Sequence, residues 1–235
     1  MDESKSKHST ERLRSLAEAA ITLFCRQGYE RSQVADVAKL MGVAVGTVYL
    51  YVAGKEALFD LAVRHASSAD ADWLESVEIP LPNPEPGATL AFLRELFDRA
   101  EWPKLMAALA CEKADDPAAE LDGVIREQYR LMRQNRRGLL MLARSALEFP
   151  GLAEVFVLGL RAKLLDHLSR YLALRVKAGQ VRQSIDLPAT VAVMTQSITW
   201  ANLQRPFDPG LIALSEEAIE NSTVELLVRG VISSK

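Results

Sequence analysis

Apolar residues recur along this chain at intervals of three and four, and almost nowhere do they alternate with polar ones, so the pattern predicts helix after helix and no sheet. The sharpest instance lies between Ser32 and Lys55. Val34, Val37, Ala38 and Met41 stand at i, i+3, i+4 and i+7, which gives a first short helix one apolar face. Gly42 ends it, because glycine takes the left-handed conformation a helix terminus often needs, and Val43 supplies the apolar contact that fixes the turn. A second helix, about Ala44 to Tyr51, has a single interior apolar residue, Val48, and carries Thr47, Tyr49 and Tyr51 beside it. It is too short to be stable alone, so it exists to present polar groups outward. A helix of this kind suits the major groove of DNA, about 12 Å wide, with its first residues at base edges and its hydroxyls on flanking phosphates. Ala38 is small where the two helices would cross, and Gly46 where backbone would meet DNA. Lys55 opens another helix, where its ammonium and the unpaired N–H groups could jointly hold a phosphate.

Downstream, a helix from about Lys55 carries Leu58, Leu61 and Ala62 on one face and is expected to run to about Leu74 or Ser76. Pro80 to Gly87, PLPNPEPG, reads as a loop. Leu90, Leu93, Leu96, Phe97 and Ala100 mark the next helix; Trp102 to Ala114 resumes after a break near Pro103, and Pro117 to about Glu148 forms one long helix or two. Leu152 to Lys177 follows, with Leu160, Leu164, Leu168, Tyr171 and Leu172 on one stripe, and Gly179 stops it. Asp186 caps a helix over Leu187 to Leu203 that tolerates Pro188 in its first turn. That helix is apolar nearly all round (Val191, Val193, Met194, Ile198, Trp200), so it must be buried on every side, and its second face is expected to meet another subunit. The last helix, Ser215 to Val231, combines Ile219, Leu226 and Leu227 with the small residues Ala218, Ser222 and Gly230.

Leu13 to Phe59 resembles the DNA-binding domain of the tetracycline-repressor (TetR) family of bacterial transcription regulators, over about a fifth of the chain. The resemblance is carried by AAITLF (Ala19 to Phe24), Gly28-Tyr29, VADVA (Val34 to Ala38), GVAVGTVYLY (Gly42 to Tyr51) and Lys55-Glu56-Ala57-Leu58, in the family's order and spacing. It implies that Thr47, Tyr49, Tyr51 and Lys55 bind phosphates and that Val45 and Gly46 lie near bases. Ser32, Gln33 and Ala44 complete the DNA-facing set. Gln33 stands where the family usually has Thr or Ser, so Ser32 or Gln33 must cap the first helix, and Gln33 could reach a base or phosphate. Ala44 replaces the usual small hydroxyl residue that caps the reading helix, a loss of about 1 kcal/mol, and Val52 replaces a usual Phe. The resemblance further implies an all-α fold: a three-helix helix-turn-helix domain (10–54) behind an arm (1–9), then a larger helical ligand-binding and dimerisation domain (55–235). On that basis the chain reads as a one-component repressor. A homodimer through about 187–203 and 215–231 would hold a palindromic double-stranded operator, its reading helices about one DNA turn (roughly 34 Å) or a multiple apart, until a small-molecule effector releases it.

Charge and composition refine this picture. The 28 Lys and Arg against 31 Asp and Glu give a net charge of −3, which argues against indiscriminate nucleic-acid coating, yet the residues through Lys55 are mildly basic. The two cysteines, Cys25 and Cys111, read as buried structural thiols and not as a disulfide framework. A polar start and the lack of a long apolar run point to a cytoplasmic protein with no membrane span. Three histidines with no Glu-x-x-His or Cys-x-x-Cys give no metal site, and no cofactor is implied. His65 and His167 read as core or interdomain residues. Arg126, Arg130, Arg133, Arg136 and Arg137 read as a solvated helix face, with an anionic effector or a second DNA contact as the alternative. Trp102, Met106, Tyr129, Met132 and Phe156 are bulky enough to line an effector pocket, though each alone fits core packing. Two rival functions stay open: a regulator whose larger domain docks a protein, and a helical enzyme. The second lacks a nucleophile-base pair, a metal constellation or a phosphate loop.

Overall fold

Leu13, Leu16, Ala17, Ala20, Ile21 and Phe24 repeat at helical spacing and are all buried, which makes the helix Asp2–Gln27 (α1) the spine of the first of two compact units. The computed structural model describes residues 2–68, 72–183 and 186–232. Met1–Asp98 with Arg137–Val157 form the first unit, and Arg99–Arg136 with Leu158–Lys235 the second. The fold is all-α, with a helix-turn-helix near the N-terminus and a helical C-terminal part, as expected. Among the described residues there are only isolated β-bridges.

In the first unit α1 packs on Val34–Met41 (α2) and Lys55–Ser67 (α4), with the short Val45–Tyr49 (α3) seated on α2. Leu58, Leu61 and Ala62 of α4 lie at no more than 1% exposure against it. An aromatic cluster closes the far end: Phe24 meets Phe59 edge-on at 5.2 Å, and Tyr29 lies 4.8 Å from Phe59 and 5.4 Å from Phe149. Ala88–Asp98 (α5), Arg136–Ser145 (α8) and Pro150–Ala153 (α9) complete it, apart from Arg136 itself, which belongs to the second unit. Gly28 needs its left-handed φ of 77°, and a Cβ there would stand 2.9 Å from the Arg144 carbonyl oxygen.

The second unit holds Pro103–Leu109 (α6), Pro117–Gln134 (α7), Ala162–Lys177 (α10), Leu187–Thr199 (α11) and Glu216–Val231 (α12). Its core joins Leu105, Leu121, Ile125, Tyr129, Leu172 and Met194 with neighbours from every one of these helices. Arg175 is fully buried there. Its guanidinium bonds the Glu120 carboxylate at 2.7 and 2.9 Å and donates to the carbonyls of Ala108 and Cys111 at 2.8 Å, so it satisfies the C-terminal end of α6. A buried charge is tolerated only when it is paired and hydrogen-bonded in this way.

Several boundaries differ from the periodicity. The first helix starts at Asp2, across most of the segment expected as an arm, since nothing between Asp2 and Thr10 is a Pro or Gly that would stop it. The fourth ends at Ser67, well short of Leu74, because Ser68 is extended (φ −93°, ψ 131°); Asp72–Glu75 is a separate 3₁₀ turn. The helix after Trp102 stops at Leu109, short of Ala114, and 117–148 is two helices parted at Asn135, whose side chain bonds back to the Leu131 carbonyl at 2.8 Å. The 152–177 and 187–203 segments each include a π-helical stretch, Glu154–Arg161 and Trp200–Gln204. Within one chain the 187–203 segment is not buried on every side: Val191, Met194 and Ile198 face the core, whereas Val193 is 62% and Trp200 38% exposed.

The thiol expectation also needs correcting. Cys111 is exposed, and only Cys25 is substantially covered, its Sγ donating to the Arg137 carbonyl at 3.3 Å and its pKa pushed up to about 11 by burial. The row of arginines is a solvated face only in part: Arg130, Arg133 and Arg137 are exposed, yet Arg126, Arg133 and Arg136 pair with acids of α12, and Arg137 pairs with Glu18 in the first unit. His65 bonds Glu18 at 3.0 Å, and His167 meets Trp102 edge-on at 5.8 Å.

Candidate nucleic-acid interface

The α2–α3 unit is built as its residues dictate. Gln33 caps α2, with the Asp36 carboxylate accepting the Gln33 N–H at 3.0 Å and the Gln33 carbonyl accepting the Asp36 N–H at the same distance. Gly42 closes the helix at φ 66°, ψ 31°, and the Val43 N–H reaches back to the Ala38 carbonyl at 3.0 Å, a left-handed terminus that only glycine adopts without strain. Ala44 opens α3 with an extended backbone and no side-chain cap. Val48, 2% exposed, anchors this five-residue helix, and Val52, fully buried, holds its exit. Burying such a side chain stabilises by about 1.5–3 kcal/mol, which is what keeps so short a helix in place.

The residues of α3 and its flanks differ in how far they face solvent. Val45 is 40% and Tyr49 49% exposed, and Gly46 faces open space, with no heavy atom within 4 Å of where a Cβ would stand. Gln33 and Ala44 are exposed. Thr47 and Tyr51 are half-buried and line a shallow apolar hollow with Arg12 and Leu16 of α1, so only part of each side chain faces solvent.

Two residues depart from their expected place. Ser32 is 1% exposed and its hydroxyl donates to the Gly28 carbonyl at 2.6 Å; it closes the α1–α2 turn and presents nothing to a duplex. The Lys55 ammonium is turned back, donating to the Glu30 carbonyl at 3.0 Å and lying 4.3 Å over the Tyr29 ring. Its two remaining N–H groups are left for an outside acceptor. Tyr29 itself has its pKa pushed up to about 12, by burial first and then by Glu56 and Glu30.

A support absent from the sequence reading comes from the proline-rich loop. Leu81 bridges Val52 in parallel, its N–H donating to the Tyr51 carbonyl and its carbonyl accepting from Ala53, both at 2.8 Å. Two residues on, Asn83 Oδ1 accepts the Ala57 N–H at 3.3 Å, satisfying an unpaired donor at the start of α4, and lies where Gly54 leaves room for it. The loop thus straps the exit of α3. The only hint in the sequence is an Asn between two prolines.

Electrostatically the unit is tied by Glu18, whose pKa lies below its ordinary value. Burial pushes it up, but the hydrogen bond and charge of Arg137 and the contact with His65 outweigh that. Arg31 and Glu148 form a further pair at the surface. The suggested pocket residues are scattered: Trp102 and Tyr129 are buried in the second core, Met132 packs against it, Met106 is 46% exposed, and Phe156 lies in the first unit against Phe97.

Comparison with known proteins gives a consistent result. Residues 16–62 match the profile of the family described as bacterial regulatory proteins, tetR family. The chain is 23% identical over 228 residues to the "Fatty acid metabolism regulator protein" of Bacillus subtilis (strain 168), covering 92% of this chain and 93% of that protein. Among solved structures it is similar to the ketosteroid transcriptional regulator KstR2 of Mycobacterium tuberculosis (TM-score 0.54, 16% identity, 95% and 96% of the two chains). It is likewise similar to AibR, solved in complex with isovaleryl coenzyme A and operator DNA (TM-score 0.53, 17% identity, 92% and 98% covered). At these identities the two structures speak to the fold. Among the described residues no helix is long and apolar enough to cross a membrane.

Proposed function

From the premise that this chain is a TetR-family transcriptional regulator, we propose that it acts as a homodimeric, cytoplasmic repressor and not as an enzyme. Residues 10–54 read a palindromic operator and residues 55–235 dimerise and respond to a small molecule. The observation that carries this is α3: a five-residue helix anchored by Val48 alone, with Val45, Gly46 and Tyr49 open to solvent and a strap fixing its exit. Gln33, Ala44, Thr47 and Tyr51 flank that surface. Dimerisation is supported by the open apolar positions of α11 (Val193), of the π-helical stretch after it (Trp200) and of α12 (Leu226, 72% exposed) in the single chain. The relative named for fatty acid metabolism makes fatty-acid-derived molecules the first effector class to try. An effector acts only through unequal affinity for the DNA-bound and released arrangements.

The test is selection of bound duplexes from a random pool, followed by gel-shift titration of the wild type and Gly46→Leu. Because nothing lies within 4 Å of a Cβ at Gly46, the variant folds with an unchanged melting temperature, and its operator affinity drops at least tenfold. A pool with no enriched palindrome, or a Gly46→Leu variant that binds like wild type, refutes the reading.

A further inference from the structure

The C-terminal half of α7 faces the start of α12 through an unusual concentration of guanidinium groups. Arg126 bonds Asp122 at 2.8 Å and Asn221 at 3.0 Å and reaches Glu220 at 3.5 Å; Arg133 bonds Glu220 at 3.1 Å; Arg136 bonds Glu216 at 2.7 Å. Arg205, from the 3₁₀ turn after α11, comes in from the third side. It is 3% exposed, donates to the carbonyls of Leu214 (3.0 Å) and Ala201 (3.4 Å), and finds its carboxylate only at 3.7 Å. That carboxylate is Glu216, already bonded to Arg136. These four guanidinia therefore share three carboxylates: Arg126 and Arg133 both reach Glu220, and Arg136 and Arg205 both reach Glu216.

Two further observations show that the arrangement is under-satisfied on the anionic side. Arg136 Nε is buried with no hydrogen-bond partner. Glu216 is held below the ordinary carboxylate range by the Arg136 hydrogen bond and by the charges of Arg136, Arg205 and Arg133, despite burial. Beside the cluster an open groove of about 580 Å³ continues between α7 and α12, with Arg126 and Asn221 at the junction. A buried guanidinium without a close carboxylate is costly, and planar forks of this kind bind phosphate oxygens two at a time.

We propose that Arg133, Arg136 and Arg205 form a binding site for a diphosphate-type oxyanion, which Glu216 occupies in the free protein. The Glu216 carboxylate is 44% exposed and can turn into water when the anion takes its place between Arg136 and Arg205. Because Glu216 is the first residue of α12, occupancy acts directly on the helix assigned above to dimerisation. This deepens the effector part of that reading and rests on it only for the regulatory consequence.

The experiment is calorimetric titration of the full chain, without DNA and at constant ionic strength, with inorganic pyrophosphate and with ADP. Saturable binding at one site per chain is expected, tightened about tenfold in Glu216→Gln, which removes the competing charge, and weakened about tenfold in Arg136→Gln. Tighter binding of ADP identifies an organic diphosphate as the ligand class, and equal binding the inorganic anion; both support the site. No heat at millimolar anion with either wild type or Glu216→Gln overturns it, as does an Arg136→Gln variant that binds like wild type. Operator selection by the same preparation remains an independent measurement, so failure here and failure of DNA binding are told apart.

Discussion

Replacing Lys55 by Ala separates what this side chain does for the fold from what it does for DNA. In the folded chain its ammonium gives one hydrogen bond to the Glu30 carbonyl at 3.0 Å and sits 4.3 Å over the Tyr29 ring. A net hydrogen bond of about 1 kcal/mol and a cation–π contact of about 0.5–1 kcal/mol make the fold loss about 1–2 kcal/mol, read as a lowered urea midpoint at unchanged slope. The DNA contribution has a different signature. Each phosphate neutralised changes the slope of log affinity against log salt by about 0.9, so a dimer losing two such contacts should flatten that slope by roughly 1.8. Affinity at physiological salt should fall about a hundredfold or more, since hydrogen bonds to charged groups contribute about 1.5–3 kcal/mol each. Fluorescence anisotropy over a salt series measures both quantities. If affinity falls while the salt slope stays as in wild type, Lys55 serves only to pin Tyr29 and Glu30, and its assignment to a phosphate is wrong.

Three other outcomes are expected. Ser32→Ala removes a buried hydroxyl that bonds Gly28, so chemical denaturation should show a loss of about 1 kcal/mol while the operator salt slope stays put. Asn83→Ala leaves the Ala57 N–H unpaired and should destabilise the fold by about 0.5–2 kcal/mol, with slower protease resistance lost first near Tyr51 to Gly54 by limited digestion and mass mapping. For Glu18 the folded pKa lies below the ordinary 4.5, so its stabilising contribution is fully present above pH 4.5 and is lost as pH falls through the lowered value. Glu18→Gln should therefore flatten the fall in melting temperature below pH 4.5; an identical acid limb in both proteins would contradict the Arg137 and His65 pairing.

The chain's own pattern determined its helices, the turn at Gly42 and the face that α3 turns to solvent. These rest on contacts within a few residues: the i, i+3, i+4 repeat of Val34, Val37 and Ala38, and a glycine whose φ of 66° suits its place. Helix ends at Ser67 and Leu109 were less legible, because an apolar stripe continues in sequence past the point where the backbone leaves the helix. Only the tertiary structure decided the partners of the polar groups. Ser32 and Lys55 carry the side chains expected at DNA, yet packing aims one inward and ties the other to Glu30. Asn83 reaches α4 from 26 positions away, and Glu216 and Arg136 meet from the starts of two different helices, α12 and α8. Periodicity records which side of a helix is apolar. The atom that a guanidinium or hydroxyl finally bonds depends on which other helix arrives there, and no local pattern encodes that.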